Sequence, residues 1–386
     1  MLVEECGTRR PSGDHSTLGE SEERPQRSDL PIDSGRIVCH NVTGYSSMTR
    51  RSSSITIRDV AQRAGVSVAT VSRYINQNVP VSEKLSGRIQ QVMDELNYVP
   101  QATARHLALR KTQTIGLLVT NLHHDFFVPL LAGIEGAVSE NGYNLLVASY
   151  RPEYRDDYQL PLGLHNTDGV LVFADSLNDE QVHQLHRRQF PMVLVHRTPS
   201  DGLDIPFVTV ENQVATHQLV DHLISVHGRR RIIFMRGPEG QEDSHWRELG
   251  YRAALADHSI PFDEALTLCG FFERELAYVA MKSFLQTPSR PEFDGVFAGD
   301  DDAAMGVYKA LREAGLGIPQ DVSVIGFDDL RMSAFLTPAL TTVSAPTEEV
   351  GRVATEQLIR HIRGEQVESE VLLPTSVVIR QSCGCP

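Results

Sequence analysis

The sequence predicts a multidomain chain, with a small all-α unit near the N-terminus and a large α/β body behind it. Three observations predict this. Residues 56–78, TIRDVAQRAGVSVATVSRYINQN, carry two short amphipathic helices around a Gly-Val-Ser turn. From Thr112 onward, short apolar runs alternate with amphipathic helical stretches. Charge is also divided. Ten basic residues face four acidic ones between Met48 and Lys111, giving +6, so with −14 overall the remainder carries −20.

Residues 1–53 are rich in Ser, Arg, Glu and Pro and show no sustained periodicity, so a disordered extension is expected there. Met48 is the expected native start, which would make residues 1–47 an upstream extension.

The small domain is expected over 54–99. Its first helix begins at Asp59, Val60 and Ala61 with Thr56 as N-cap, and buries Val60, Ala61 and Ala64. Gly65 ends the helix at little steric cost. Ser67 caps the second helix near Thr70. Val71, Tyr74 and Ile75 face inward, leaving Val68, Ala69, Ser72 and Arg73 outward. Residues 82–98 form a third helix, with Ser82 as N-cap and Leu85, Ile89, Val92, Met93 and Leu96 on its apolar face. Any small helical hairpin shares the two-helix pattern. With a third helix and a basic balance it fits a helix-turn-helix that lays its second helix in the DNA major groove.

Strands are expected at 114–119, 144–149, 169–173, 192–196, 207–210, 231–235, 295–299 and 322–327. Helices lie between many of them, including Val128–Asn141, Val214–Val226, Ala303–Ala314 and Glu348–Ile362. This alternation implies parallel sheets covered on both faces, with a ligand crevice at the strand ends.

The strings TIRDVAQRAGVSVATVSRYIN, ELNYVPQATARHLALRKTQTIGLLV, LLAGIEGAVSENGYNLLVA, GPEG followed by WRELGYRAAL, and DVSVIGFDDL followed by LTPALTTVSAP occur in this order and spacing. Together they resemble the lactose/galactose repressor (LacI/GalR) family from about Ser54 to the C-terminus. The resemblance implies a two-lobed, periplasmic-binding-protein-like effector and dimerisation domain over 112–386, with three crossovers near Phe207, Thr341 and Leu372. Lobe 1 would span about 112–207 and 343–370, and lobe 2 about 208–341 and 372–386.

It also implies roles. Thr56, Ser67, Val68, Ala69, Thr70, Ser72, Arg73 and Asn76 would meet DNA, with Thr56, Ser67 and Asn76 on phosphates or as caps. Arg73 suits a bidentate guanine contact, a phosphate contact being the alternative. Gln101–Leu109, within a 100–111 linker, resembles a hinge helix in which Leu107 wedges into the minor groove, flanked by Ala104 and Arg105. A flexible linker is the other reading. Effector contacts would come from Phe126, Phe127, His196, Arg197, Arg247, Asp300 and Asp328, while Asp301 and Asp329 are expected to cap helices. The chain departs from the family pattern at His124-Asp125, usually Asn-Pro, at His196, often Asp, and at Asp300, usually Asn.

The expected function is a cytoplasmic DNA-binding regulator, most simply a repressor. It would act as a homodimer on a pseudo-palindromic double-stranded operator, tuned by a sugar-like effector. Two alternatives stand beside it: control by a protein partner, and a sugar-binding protein with no DNA role. An enzyme is not expected, because no Walker-type loop, nucleophile elbow or HExxH occurs. No apolar run reaches the ~18–20 residues of a membrane span. No cofactor is expected. Cys6, Cys39, Cys269, Cys383 and Cys385 form no disulfide framework, which fits a reducing compartment. Cys383-Gly-Cys385 reads as a frayed tail, and His217, His222 and His227, five apart, do not share one helical face, so no metal site is expected.

Overall fold

The computed structural model describes residues 55–76, 81–98, 111–150, 160–200 and 202–386. The extension over 1–53 and the hinge residues Ala104, Arg105 and Leu107 lie outside them. The chain divides into two compact units at Arg105/His106.

In the first unit, helices α1 (Ile57–Ala64), α2 (Val68–Asn76) and α3 (Glu83–Glu95) close around Val60, Ala61, Ala64, Val71, Ile89, Val92 and Met93. Burying an aliphatic side chain of this size contributes about 1.5–3 kcal/mol relative to leaving it exposed, so three short helices that are marginal alone become stable together. The α1 N-terminus is fixed by Asp59, whose carboxylate accepts from Thr56 N at 2.7 Å and Thr56 Oγ1 at 2.8 Å. These bonds, the backbone one first, hold its pKa below the ordinary value. Gly65 takes the left-handed conformation (φ 67°) that the turn requires. Ser82 stands at the N-cap of α3, but its hydroxyl makes no capping bond.

The second unit opens with strand β1 (Thr114–Val119), helix α4 (Phe127–Glu140), β2 (Asn144–Ser149), β3 (Gly169–Phe173), α5 (Asp179–Arg187), β4 (Met192–Val195) and β5 (Phe207–Val210). The chain then builds α6 (Gln213–Ser225), β6 (Ile232–Arg236), α7 (Glu242–Asp257), β7 (Thr267–Cys269), α8 (Arg274–Gln286), β8 (Gly295–Ala298), α9 (Asp301–Glu313), β9 (Ser323–Ile325) and β10 (Thr342–Ser344). It returns through α10 (Thr347–Ile362), β11 (Glu370–Leu373) and β12 (Ser376–Val378).

Lobe 1 is a parallel six-stranded sheet in the order β11-β5-β4-β3-β1-β2. Alternate residues serve opposite faces. Ile115, Leu117, Leu171 and Val193 pack under α4 and α10, while Leu118, Val170, Val172 and Leu194 pack against α5. α4 and α10 cross at Gly133 and Gly351. A Cβ at Gly133 would sit 1.9 Å from Glu348 O, so only glycine permits this approach. Lobe 2 is a parallel four-stranded sheet, β7-β6-β8-β9, with α8 and α9 on one face and α6 and α7 on the other. The antiparallel pair β10-β12 borders it, and bridges Ile325–Thr341 and Asp328–Ser344 join β10 to the end of β9.

The lobe seams lie a few residues from the expected ones. β5 pairs with β4 and β11, so residues 208–210 and 372–373 belong to the first sheet, not to lobe 2. Val343 packs in the lobe 2 core beside Phe327, so β10 belongs to lobe 2, not lobe 1. The C-terminal tail is not frayed. Ser382 Oγ accepts from Thr341 N at 2.8 Å and donates to Val324 O at 2.6 Å, and Cys383 is fully buried. No helix among the described residues is long and apolar enough to cross a membrane.

Candidate functional site

In the small unit α2 presents one outward face. Val68, Ala69 and Arg73 are exposed, while Thr70 and Ser72 are half-buried, so Ser72 projects less than its helical position suggests. Ser67 Oγ accepts from Thr70 N at 3.1 Å and pairs with Thr70 Oγ1 at 2.8 Å, which caps α2 and ties both hydroxyls at its N-terminus. Thr56 lies at the start of α1 and Asn76 closes α2. Tyr74 donates to Gln90 Oε1 at 2.8 Å, bracing α2 on α3. The result is a rigid helix with a short apolar N-terminal surface and one exposed guanidinium.

In the large unit the loops after the parallel strands of both lobes converge. Arg247, on α7, is buried at 3% exposure and is the hub of a polar network. It donates from Nε to Asn212 Oδ1 (2.9 Å) and from Nη1 to Gly299 O (2.6 Å), and its Nη2 lies 3.4 Å from Asp328 Oδ1. Its guanidinium stacks 3.7 Å from the Phe327 ring centroid. Asn212 Nδ2 donates in turn to Asp243 Oδ1 at 2.9 Å, and Asp243 Oδ2 lies 2.9 Å from His196 Nδ1. Burial works against ionisation of Asp243, but His196, Arg247 and the Asn212 amide together hold its pKa below the ordinary value. Asp328 goes the other way, raised by burial although Arg247 opposes it. Asp300 is raised well above the usual range by burial and by the neighbouring Asp328.

Backbone strain gathers in the same place. His196 and Asp328 hold left-handed φ of 56° and 103°, conformations costing on the order of 1–3 kcal/mol in a residue with a Cβ. Buried polar side-chain atoms line the same loops. Asn121 Oδ1, Ser176 Oγ, His196 Nε2 and Gln241 Oε1 all sit in loops following β1, β3, β4 and β6. Buried polar side-chain atoms are normally hydrogen-bonded, so these loops form the polar lining of the crevice.

The expected effector residues separate into groups. His196, Arg247 and Asp328 belong to the network. Phe126 is half-buried, with ring centroids 5.5 Å from His196 and 5.7 Å from Phe173, and lines the lobe 1 side. Phe127 is a core residue, 5% exposed and packed edge-on against Phe173, because it opens α4 on its inward face. Arg197 turns its guanidinium onto Leu177 O and the Asp179 carboxylate, bracing the loop after β3. Asp300 is the N-cap of α9, accepting from Ala303 N at 2.8 Å, a role expected for Asp301. Asp301 instead accepts from Leu330 N (2.9 Å), Ser333 Oγ (2.5 Å) and Thr342 Oγ1 (2.6 Å), and burial raises its pKa to about 7. Asp329 pairs with Arg380 at 2.6 Å rather than capping a helix.

Sequence reasoning missed Asn212, Asp243 and Glu242, all at strand-to-helix junctions of lobe 2. Their signal is a polar residue just before or inside the first turn of a helix that follows a strand. Glu242 accepts from Thr198 N (2.9 Å) and Thr198 Oγ1 (2.7 Å), which ties lobe 1 to lobe 2. Three of the positions departing from the family pattern, all but Asp300, also bridge the crevice. His124 lies 3.7 Å from Asp302 and 3.8 Å from Glu273, Asp125 lies 3.8 Å from Arg274, and His196 meets Asp243.

Comparison with known proteins agrees with both parts. Residues 56–101 match the model for bacterial regulatory proteins of the lacI family, and residues 220–383 match the periplasmic binding protein-like domain. The chain is 34% identical to the ribose operon repressor of Escherichia coli K12 over 333 residues, covering 84% of this chain and 98% of that protein. Among solved structures it is similar to a transcriptional regulator CelR–cellobiose complex, at 31% identity and a TM-score of 0.63, covering 85% of this chain and 99% of the other. It shares its fold with a Lac repressor dimer bound to operator, at 24% identity and a TM-score of 0.71, covering 85% and 99%. The chain therefore belongs to the lacI family of bacterial regulatory proteins, DNA-binding transcriptional regulators and not enzymes, and joins a helix-turn-helix domain to a two-lobed periplasmic-binding-protein-like domain.

Proposed function

We propose that this chain is a cytoplasmic repressor that binds a pseudo-palindromic operator as a homodimer, its affinity set by a small polyhydroxylated metabolite, a sugar or close relative, held between the lobes. The observation that carries the effector reading is the buried polar network of Asn212, Asp243, Arg247 and Asp328, to which His196 of lobe 1 is joined. Arg247 offers planar donors for hydroxyls, Asp328 an acceptor, and Phe126 an apolar face for a sugar ring. The names of the relatives, a ribose operon repressor and a regulator complexed with cellobiose, support the same ligand class.

On the DNA side, Arg73 reads a guanine edge, Val68 and Ala69 pack on thymine methyls, and Thr56, Ser67 and Asn76 hold phosphates. Thr70 and Ser72 support the same edge, and Leu107, flanked by Ala104 and Arg105, wedges into the minor groove. Closure of the lobes on ligand shifts the equilibrium between states of high and low operator affinity, a coupling of about 1–3 kcal/mol or more. A thermal-shift screen of pentoses, hexoses, disaccharides and nucleosides tests this. A stabilising ligand that also changes operator affinity supports it. Intact operator binding with no stabilisation by any of them would favour a protein partner instead.

A further inference from the structure

Away from the cleft, four metal-binding side chains converge on one point of lobe 2. His222 lies in the last turn of α6 and His227 two residues past its end, so the five-residue spacing that argues against a shared helical face does not apply. Their Nε2 atoms are 3.2 Å apart. Cys385 Sγ stands 3.5 Å from His222 Nε2 and 3.4 Å from His227 Nε2. Cys383 completes the group, and all four donor atoms lie within 4.8 Å of one another. We propose that His222, His227, Cys383 and Cys385 form a structural zinc site that fastens the C-terminal tail to α6.

The distances carry the assignment. A tetrahedral zinc with its usual bond lengths, about 2.05 Å to nitrogen and 2.3 Å to sulfur, has edges of about 3.3 Å between two nitrogens and about 3.5 Å between nitrogen and sulfur. The observed 3.2, 3.4 and 3.5 Å match those edges. Hydrogen bonds would pair these atoms two at a time, whereas four donor atoms within 4.8 Å of one another form a ligand set around a single point. A donor set of two sulfurs and two nitrogens selects zinc over magnesium or calcium, and on binding Cys383 Sγ would give up its hydrogen bond to Arg380 O, now 3.3 Å.

The surroundings are prepared as well. Cys383 is buried, and its carbonyl accepts from Ser323 Oγ at 2.8 Å, which sets its position before any ion arrives. Gly384 holds φ of 118°, and a Cβ there would lie 2.9 Å from His227 Nδ1, so glycine lets the tail fold over the imidazole. All three cysteines of the described residues are free thiols. Binding would release the two thiol protons to solvent as both sulfurs become thiolates.

The test uses the full chain with Cys6 and Cys39 replaced by Ser, so that only the proposed thiols and Cys269 remain. After equilibration with excess zinc and desalting, elemental analysis should give one zinc per chain, and cobalt(II) should give the thiolate charge-transfer band and intense visible bands of a tetrahedral site. Cys385→Ser, a near-isosteric change that leaves the buried Cys383 in place, should reduce zinc to a small fraction per chain and remove the sulfur charge transfer. Chelation should lower Tm by about 5 °C or more in the parent and not in Cys385→Ser. Absence of retained zinc, a Cys383–Cys385 disulfide in the freshly reduced protein, or binding that survives both Cys385→Ser and His222→Ala would overturn the assignment.

Discussion

Arg247→Met removes the hub of the cleft and leaves a side chain of similar length. The lost groups are two hydrogen bonds from a charged donor, to Asn212 Oδ1 and Gly299 O, and a longer contact to Asp328. Charged hydrogen bonds of this kind contribute about 1.5–3 kcal/mol each, and the stacking on Phe327 adds on the order of 1 kcal/mol. Methionine keeps the contact with Phe327 and regains part of that packing. What remains is a buried Asp328 without its cation and two orphaned acceptors, so the net loss should be about 3–5 kcal/mol, typical of breaking a buried pair from one side. Urea unfolding of the large domain, followed by fluorescence of Trp246 and by circular dichroism, measures it. The double variant Arg247→Met/Asp328→Asn should recover part of the loss, because the uncompensated carboxylate is gone. A loss below about 1 kcal/mol for the single variant would refute the reasoning that this guanidinium holds the network together.

Other outcomes follow from the same geometry. Arg73→Ala should weaken binding to the preferred duplex by roughly 10- to 100-fold in a gel-shift titration and relax the preference at one base pair, whereas a phosphate role would weaken all duplexes alike. His196→Asp, the residue frequent in the family, would place a carboxylate where an imidazole now sits 2.9 Å from Asp243, so Asp243 should titrate at higher pH and the lobes should part, read as a larger radius of gyration by X-ray scattering. Asp301 has its folded pKa raised from 3.8 to about 7, so its contribution to stability is full below about pH 4 and is lost as pH rises toward 7. Asp301→Asn should therefore cost more relative to the parent at pH 5 than at pH 8, by up to about 2.5 kcal/mol, and an equal cost at both pH values in urea titrations would count against it.

Much of the fold was legible because apolar runs and their breaks are local. β1, β2, β3 and β5 fall on the runs read from the sequence, and α4, α6 and α10 begin within a residue of the expected starts. Which sheet a strand joins is not local. β5 and β11 read as ordinary strands, and only their pairing with each other places both in lobe 1. The same limit explains the site. Arg247 and Asp328 carry signals in their own segments, but Phe127 differs from Phe126 only by one step of helical rotation, which turns it into the core. Asp300 and Asp301 are neighbours whose roles as cap and loop anchor depend on Leu330, Ser333 and Thr342, distant in sequence. His222 and His227 show no pattern until the C-terminal cysteines are brought beside them.

The most direct test is fluorescence anisotropy of the full chain on its best duplex from in vitro selection, with random duplex as competitor, at about 0.15 M salt, with and without the stabilising sugar. The expected result is a preference of at least about 10³-fold for the selected duplex, and a shift of about five-fold or more when the sugar is added. Equal affinity for selected and random duplex, unchanged by Arg73→Ala, would contradict it.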